Sequence, residues 1–551
     1  MTTPIRGVGI GQGVAYGPVA RMAPRLEAPT DARSTRTPDE ERADVARAIA
    51  AVAAELNARG ERAGGAAQEV LEAQAMMAED PTLEEQVGAL IDDGHTAEYA
   101  VHTAFARFAQ TLQEMGGYLG ERAADLADVS QRVIAQLRGV PAPGVPDLDH
   151  PFVLVAEDLA PADTALLDLD RVLAVVTTAG GPTSHTAILA SDKGITAVVG
   201  TGEHPGLVDG ATVLVDAAAG VVVIDPTDAQ RAEADDRVAR RREAAGAPVT
   251  PGALADGTEI PLLANLGSPD AAAEAVELGA EGVGLFRTEF LFLSADEAPS
   301  VDAQRAAYGK LLAAFPGRKV VVRVLDAGAD KPLAFLTDGE EQNPALGLRG
   351  LRSLRAHEQI LRDQLTALAQ ADAATDADLW VMAPMVSTVE EAQYFTALAH
   401  EHGLKTAGVM VEVPAAALMA DAILAHTDFG SIGTNDLVQY TMAADRLLGT
   451  VSGFQDPWHP AVLRLVAEVG AAGARHGKPV GICGQAAADP LLAVVLVGLG
   501  ATTLSMSPRS LVDVRAELRR HTIDDARRAA QAALATTDAD AARAAARDAL
   551  S

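Results

Sequence analysis

From residue 258 onward the chain repeats one pattern eight times: a short apolar segment, then a stretch with helical spacing. The apolar segments are IPLLANL, GVGLFR, VVVRVL, LWVMAPMV, AGVMVEVP, FGSIGTN, PVGICGQ and TTLSMSP. Eight βα units in succession predict a closed (β/α)8 barrel. The alanine-rich tail, 523–551, reads as helical, placed either to cap the barrel or to join a dimer interface.

With 551 residues the chain is too long for one hydrophobic core, so two to four domains are expected. Hydrophobic residues make up 48% and aromatics only 3%, so the cores must be built from Ala, Val and Leu. The net charge of −32 argues against nucleic-acid binding, because a phosphate backbone demands a basic face. It suits solubility and attraction of a basic partner. The single cysteine, Cys483, allows no disulfide within the chain and fits a reducing compartment. No signal peptide is evident in MTTPIRGVGIGQG, and the apolar run Leu491–Leu504 contains glycines and threonines and falls short of a membrane span. A cytoplasmic protein is the expectation.

Residues 4–22, IRGVGIGQGVAYGPVARM with glycine punctuation, read as a short strand pair. From Pro38 to Gly139 proline is almost absent and apolar residues recur at helical spacing, which predicts an antiparallel bundle of about four helices. Asp80-Pro81 ends one helix and begins the next. After the proline-rich connector Val140–Pro151, β-like segments return: FVLVAEDL, VLAVVTTAGG, AVVG and ATVLVDAAAGVVVID. The strands of 4–22 are expected to pair with this region, making the helical block an insertion. Residues 227–249 are charged and helical, as a linker would be.

Within Thr177–Gly200, TTAGGPTSHTAILASDKGITAVVG, His185 follows Gly180 and Gly181 and stands between Ser184 and Thr186. Glycines permit a sharp turn and close approach to a ligand. A neutral imidazole presented there is a nucleophile near neutral pH. A lone histidine at such a corner ordinarily does no more than bond backbone; the whole string argues otherwise. It resembles the phosphohistidine motif of enzymes that take phosphate from phosphoenolpyruvate. Its Ser-His-Thr core is closer to enzyme I of the bacterial sugar phosphotransferase system than to the synthase and dikinase relatives.

Polar residues cluster at the ends of the predicted barrel strands, where such barrels do chemistry. They are Arg287-Thr288-Glu289, Arg323 and Asp326 with Lys331 beyond, Arg349, Glu412, Asn435-Asp436, Asp445-Arg446 and Cys483-Gly484-Gln485. Singly, each has a plain structural reading: solvated ion pairs, helix caps, a small buried thiol. Together they suit a small trianion carrying phosphate and carboxylate, which several guanidiniums grip in bidentate fashion. Two carboxylates plus ligand oxygens suit Mg²⁺.

GVGLFRTEFLF, VVRVLDAGADKP, NPALGLRGLR, MVEVPAAAL, DFGSIGTNDLVQYTMAADR and GICG all resemble the phosphoenolpyruvate-binding barrel of enzyme I. EAQAMMAEDPTLEE and RAADLADVSQRVIAQLRG resemble that family's docking domain for the carrier protein HPr. The resemblance implies an α/β multidomain chain. A swivelling phosphohistidine domain, 1–22 and 140–226, would carry an inserted helical HPr-binding domain, 23–139. A linker helix, 227–257, would lead to a phosphoenolpyruvate-binding TIM barrel that also dimerises, 258–551. It implies that His185 carries the phosphoryl group and passes it to a histidine of HPr. Arg287, Arg323 and Arg446 would grip phosphate and carboxylate, with Lys331 and Asn435 assisting. Glu412 and Asp436 would hold Mg²⁺, Asp436 also lying against the substrate. Arg349 would lie beside the reacting end. Cys483 would protonate the departing enolate to give pyruvate. A homodimer is implied too.

Three positions depart from that family's pattern: Pro182 and Ser191 where arginine is usual, and Gln485 where glutamate is usual. A synthase or dikinase would carry a large nucleotide-binding domain before the histidine domain. Here that region reads as a helical bundle without a glycine-rich phosphate loop. A nitrogen-linked paralogue would carry a further N-terminal sensor domain. A non-catalytic scaffold would not need the intact cluster of strand-end residues.

Overall fold

A computed structural model of the chain describes every residue except 1–3, 12, 24, 64, 116–122, 160–166, 182–183, 185, 188–189, 191–193, 247, 294–296, 328–332, 334, 337–340 and 447. Two compact units emerge, Met1–Ile10 with Val14–Arg231, and Gly11–Gly13 with Ala232–Ser551.

The first unit is built on eight strands: β1 (Ile5–Arg6), β2 (Val8–Ile10), β3 (Val14–Arg21), β4 (Phe152–Ala156), β5 (Val172–Thr177), β6 (Ala197–Val199), β7 (Thr212–Asp216) and β8 (Val221–Ile224). Their order is β1-β8-β7-β3-β4-β5-β6-β2. The strand pair expected within 4–22 does not form. β1 pairs with β8, β2 with β6, and β3 lies between β4 and β7. Strands of two and three residues gain little from each other, whereas each finds a waiting edge on the sheet. One extended segment thereby covers both edges of the sheet, and unpaired edges are a liability. Gly9 makes the close approach possible: a Cβ there would meet the Ala217 carbonyl oxygen at 1.7 Å. β4 is buried along its whole length, with Leu154 and Ala156 in one core and Val153 and Val155 in the other. Period-two alternation puts those residues on opposite faces.

Five described helices lie between β3 and β4, against the four or so expected: α1 (Pro38–Ala63), α2 (Gly65–Ala78), α3 (Pro81–Asp92), α4 (Ala97–Met115) and α5 (Ala123–Arg138). α1 opens with a capping box. The Glu40 carboxylate accepts from the Thr37 amide at 3.0 Å, and the Thr37 hydroxyl oxygen accepts from the Glu40 amide at 3.4 Å. α3 begins where Asp80-Pro81 predicts, the Asp80 carboxylate accepting from the amides of Thr82 and Leu83. Leu56, Leu83, Ile91, Phe105, Leu126 and Ile134 form the centre of this block.

In the second unit, β9 (Leu262–Leu266), β10 (Val283–Arg287), β11 (Lys319–Arg323), β12 (Asp378–Ala383), β13 (Ala407–Val411), β14 (Gly430–Gly433), β15 (Val480–Cys483) and β16 (Thr503–Met506) close into a parallel barrel, β16 returning to β9. Each predicted apolar segment supplies one strand. The outward faces, such as Val320, Val322, Val381, Val409, Ile432 and Leu504, bury against the surrounding helices. The inward faces are uneven. Leu285, Val321, Trp380, Met382 and Met410 fill one side, while Ser431, Gly481, Thr503 and Ser505 leave the other sparsely filled. The helix Asp228–Gly246 crosses the boundary between the units, and its Arg241 pairs with Asp513 at 3.1 Å.

The alanine-rich tail forms two helices, Ile523–Leu534 and Ala539–Leu550. Their buried alanines pack on the wholly apolar helix Pro490–Gly498 of the barrel's own wall. Among the described residues no helix is long and apolar enough to cross a membrane.

Candidate active site

The C-terminal ends of the barrel strands carry a buried chain of alternating charge. Glu289 pairs with Arg323, Arg323 with Asp326 at 3.1 Å, Asp326 with Arg349 at 3.1 Å, Arg349 with Asp436 at 2.8 Å, and Asp436 with Arg446 at 3.5 Å. The partners come from β10, β11, the loop ahead of helix Leu351–Ala356 and the helix following β14. Asn435 and Asp436 are in the first turn of that helix, Thr434–Met442, rather than at the end of β14, which stops at Gly433.

Arg349 is the hub. Nε and Nη2 donate to the two oxygens of Asp326 at 3.2 and 3.1 Å, and Nη1 donates to Asp436 and to the Tyr440 hydroxyl at 3.0 Å. Burial opposes its charge, but Asp326 and Asp436 outweigh that and hold the guanidinium above its ordinary value. Arg323 is likewise penalised by burial and raised by Glu289 and Asp326. Among the described residues its buried Nε has no hydrogen-bond partner, nor has Oε2 of Glu289. Buried polar atoms are ordinarily satisfied, and a guanidinium N–H without a partner suits an anionic oxygen.

Arg287 differs. It keeps an exposed surface deep in the barrel mouth, and among the described residues it has no ion-pair partner. Desolvation by the surrounding walls, then the charge of Arg323, push its guanidinium below the ordinary value. Arg446 is half-buried and pairs with Asp436 at 3.5 Å.

Glu412, at the end of β13, is 1% exposed. One of its oxygens accepts from the amide of Met385 at 2.7 Å. Met385 holds the left-handed conformation (φ 58°), which an unbranched side chain enters only when its surroundings enforce it. The other oxygen lies over Gly433, where a Cβ would come within 2.7 Å. Burial, then Asp436 and Asp326, push the Glu412 carboxyl well above the usual carboxylate range. Two buried carboxylates that repel each other and offer only oxygen donors suit a hard divalent cation. Among the described residues no group of three or more His, Cys, Asp or Glu side chains forms a cage.

Cys483 is 2% exposed in the barrel interior, beside Met410 and Leu285. Its Sγ donates to the Ile432 carbonyl at 3.4 Å and accepts from the Ser431 hydroxyl at 3.7 Å. Burial is the main cause that pushes the thiol up to about 11, so it stays protonated at neutral pH. Gly484 next to it has φ +116°, a conformation open to glycine. Asn435 is half-buried, its side-chain oxygen accepting from the Gln485 amide at 3.2 Å, while the Gln485 side chain is exposed.

His185, Lys331, Pro182 and Ser191 lie outside the described residues. The neighbours of His185 are well anchored. Gly180 has φ +86°, the Ser184 hydroxyl accepts from the Ala187 amide, and buried Thr186 donates to Asp158 at 2.5 Å. Asp158, just past β4, carries no signal in the sequence. Tyr440 and Ser431 do: Tyr440 follows Asp436 by four residues on one helix, and Ser431 precedes Gly433 by two on one strand face. Glu289 and Asp326 are legible as strand-end residues, but their role as counter-ions is not.

A parallel barrel with a mouth lined by arginines and carboxyl groups is the phosphoenolpyruvate-binding class of fold and site. Residues 241–523 match the PEP-binding domain of PEP-utilising enzymes, residues 6–122 their N-terminal domain, and residues 148–220 their mobile domain. The chain belongs to the phosphoenolpyruvate-protein phosphotransferase family. It is 53% identical to the Streptomyces coelicolor phosphoenolpyruvate-protein phosphotransferase, covering 100% of both chains. It is 42% identical to the Haloferax volcanii protein of that name over 86% of each chain, and 38% identical to the Bacillus subtilis one over 94% of each. The resemblance to enzyme I of the phosphotransferase system therefore holds, and the chain transfers phosphate from phosphoenolpyruvate to protein. The family uses a metal ion.

Proposed function

We propose that this chain moves the phosphoryl group of phosphoenolpyruvate onto His185 and from there onto a histidine of HPr, in the cytoplasm, with Mg²⁺ as its metal. The observation that carries the site assignment is the convergence of guanidiniums and carboxyl groups at the barrel mouth. Four guanidiniums (Arg287, Arg323, Arg349, Arg446) face four carboxylates (Glu289, Asp326, Glu412, Asp436). The mouth offers donors for the ligand: Arg287, the Nε of Arg323, which has no hydrogen-bond partner among the described residues, and Arg446. These grip the phosphate and carboxylate, with Lys331 and Asn435 assisting. Arg349 stays locked between Asp326 and Asp436 and holds the loop beside the reacting end.

Glu412 and Asp436 would hold Mg²⁺, which when bound supplies positive charge to the oxygens of the transferring phosphoryl group and of the enolate. His185 attacks phosphorus in line, its neutral ring donating the lone pair, while the arginines neutralise the equatorial oxygens. The P–O bond to the enolate breaks. The S–H bond of Cys483 then breaks and a C–H bond forms at the enolate carbon, giving pyruvate. A thiol with its pKa pushed to about 11 by burial is protonated and ready for that step.

One histidine must meet both phosphoenolpyruvate and HPr. The α/β domain around His185 therefore swivels about the 227–257 segment, and the helical domain, 23–139, presents it to HPr. The barrel forms the dimer. Labelled phosphoenolpyruvate with Mg²⁺ tests the reading: wild type acquires acid-labile label and passes it to HPr, and His185→Ala does neither. Label that required ATP, or label on His185→Ala, would overturn it. A cross-link that freezes the two domains should spare one half-reaction and block the other; survival of both would refute the swivel.

A further inference from the structure

We propose that Ser431 is the proton relay that restores the thiol of Cys483, fed by a water-sized cavity opening at the N-terminal end of the barrel. The inference rests on the reading of Cys483 as the acid that makes pyruvate. Each turnover would leave a thiolate, which must recover one proton. Among the described residues a single donor reaches Sγ, the Ser431 hydroxyl at 3.7 Å. The other contact, the Ile432 carbonyl, only accepts.

Behind Ser431 the barrel interior holds a cavity of about 20 Å³, enough for one water. Gly481 keeps it open. A Cβ there would lie 2.9 Å from the Thr503 hydroxyl and 3.9 Å from that of Ser431. A water in that space bridges two hydroxyls, the polar company a buried water needs. Lys319 is the first residue of β11 and Gly430 the first of β14, so the cavity lies at the end opposite the charged mouth. Lys319, Trp380, Pro479 and Gly481 are only partly buried, which gives it access to solvent.

The steps balance. The thiol S–H breaks as the substrate C–H forms, leaving S⁻. Ser431 passes its hydroxyl proton to Sγ and takes one from the cavity water. The resulting hydroxide is neutralised by solvent at the N-terminal opening. Ligand and metal enter from one end and the proton from the other, so restoration of the acid does not wait for the mouth to empty.

The test loads the enzyme with deuterium in D2O, dilutes it into H2O, ages it for a variable interval, and adds phosphoenolpyruvate with Mg²⁺. Mass spectrometry of the first-turnover pyruvate reads how much deuterium the thiol still carried. Carry-over should decay at least about tenfold more slowly with ageing in Ser431→Ala and Gly481→Ala, as loss of a proton-transfer partner implies, and Ser431→Thr should restore the wild-type decay. A merely structural role for Ser431 would change the rate of pyruvate formation without slowing this exchange. Wild-type decay in Ser431→Ala, or in Gly481→Ala, would overturn the relay. Wild-type carry-over from Cys483→Ala would instead remove the acid on which it depends.

Discussion

Arg349 and Asp436, 87 residues apart in the chain, meet at 2.8 Å with both side chains buried. The same guanidinium grips both oxygens of Asp326 on its other side. This contact ties the loop after β11 to the helix after β14, and so sets the width of the mouth.

Arg349→Met should therefore cost more than a surface ion pair. Removing one partner of a buried charged pair leaves the others uncompensated, at about 3–5 kcal/mol. The barrel should be less stable in denaturant by that order, and phosphoenolpyruvate turnover should fall by orders of magnitude. Arg349→Lys should recover little of either, because one ammonium does not reproduce a bidentate fork. Urea unfolding and pyruvate release check both.

Gly433→Ala tests the carboxylate cradle. The added Cβ would come within 2.7 Å of Oε2 of Glu412 and 3.0 Å of the Met410 sulfur, displacing the side chain proposed to hold Mg²⁺. Apparent Mg²⁺ affinity should drop about 10–100-fold, as for other disturbances around a metal ligand. Activity titrated against Mg²⁺, with circular dichroism to establish that the barrel is intact, measures it.

Cys483 should resist alkylation in the native protein. Thiolate is the reactive form. Burial keeps the thiol 2% exposed and pushes it from an ordinary 9.0 to about 11. The folded state thus keeps a proton that the unfolded chain sheds first. That stabilisation is whole below about pH 9 and is lost as pH rises through about 11. Iodoacetamide at pH 8 should label urea-unfolded protein far faster than native protein, by mass spectrometry.

Gly9→Ala should loosen the first unit alone. Its Cβ would overlap the Ala217 carbonyl oxygen, so the β2 segment must shift off the sheet edge. Overpacking of this kind costs about 1–3 kcal/mol. Hydrogen exchange at Val198 and Val199 of β6, the partner of β2, should speed up while the barrel strands stay unchanged.

Local pattern carried much of this molecule. Each of the eight apolar segments named after residue 258 became a barrel strand, because a parallel strand buried on both faces needs a short continuous apolar run. Asp80-Pro81 opened a helix because its cap and its proline act within one turn. Residues 4–22 were less legible. Strands of two and three residues carry too little pattern to name their partners, and those partners lie about 190 to 220 residues away.

The sequence alone determined which side chains stand at the strand ends, since strand direction and the βα repeat put them there. Only the tertiary structure decided how they share their charges. Glu289 and Asp326 became counter-ions, Arg349 became a clamp and Arg287 was left open to the mouth, because electrostatic pairing depends on distance and burial rather than on order along the chain. The thiol of Cys483 needed the same information: a cysteine is an acid or a filler according to what surrounds it, and only the closed barrel supplies Ser431, the cavity and the desolvation.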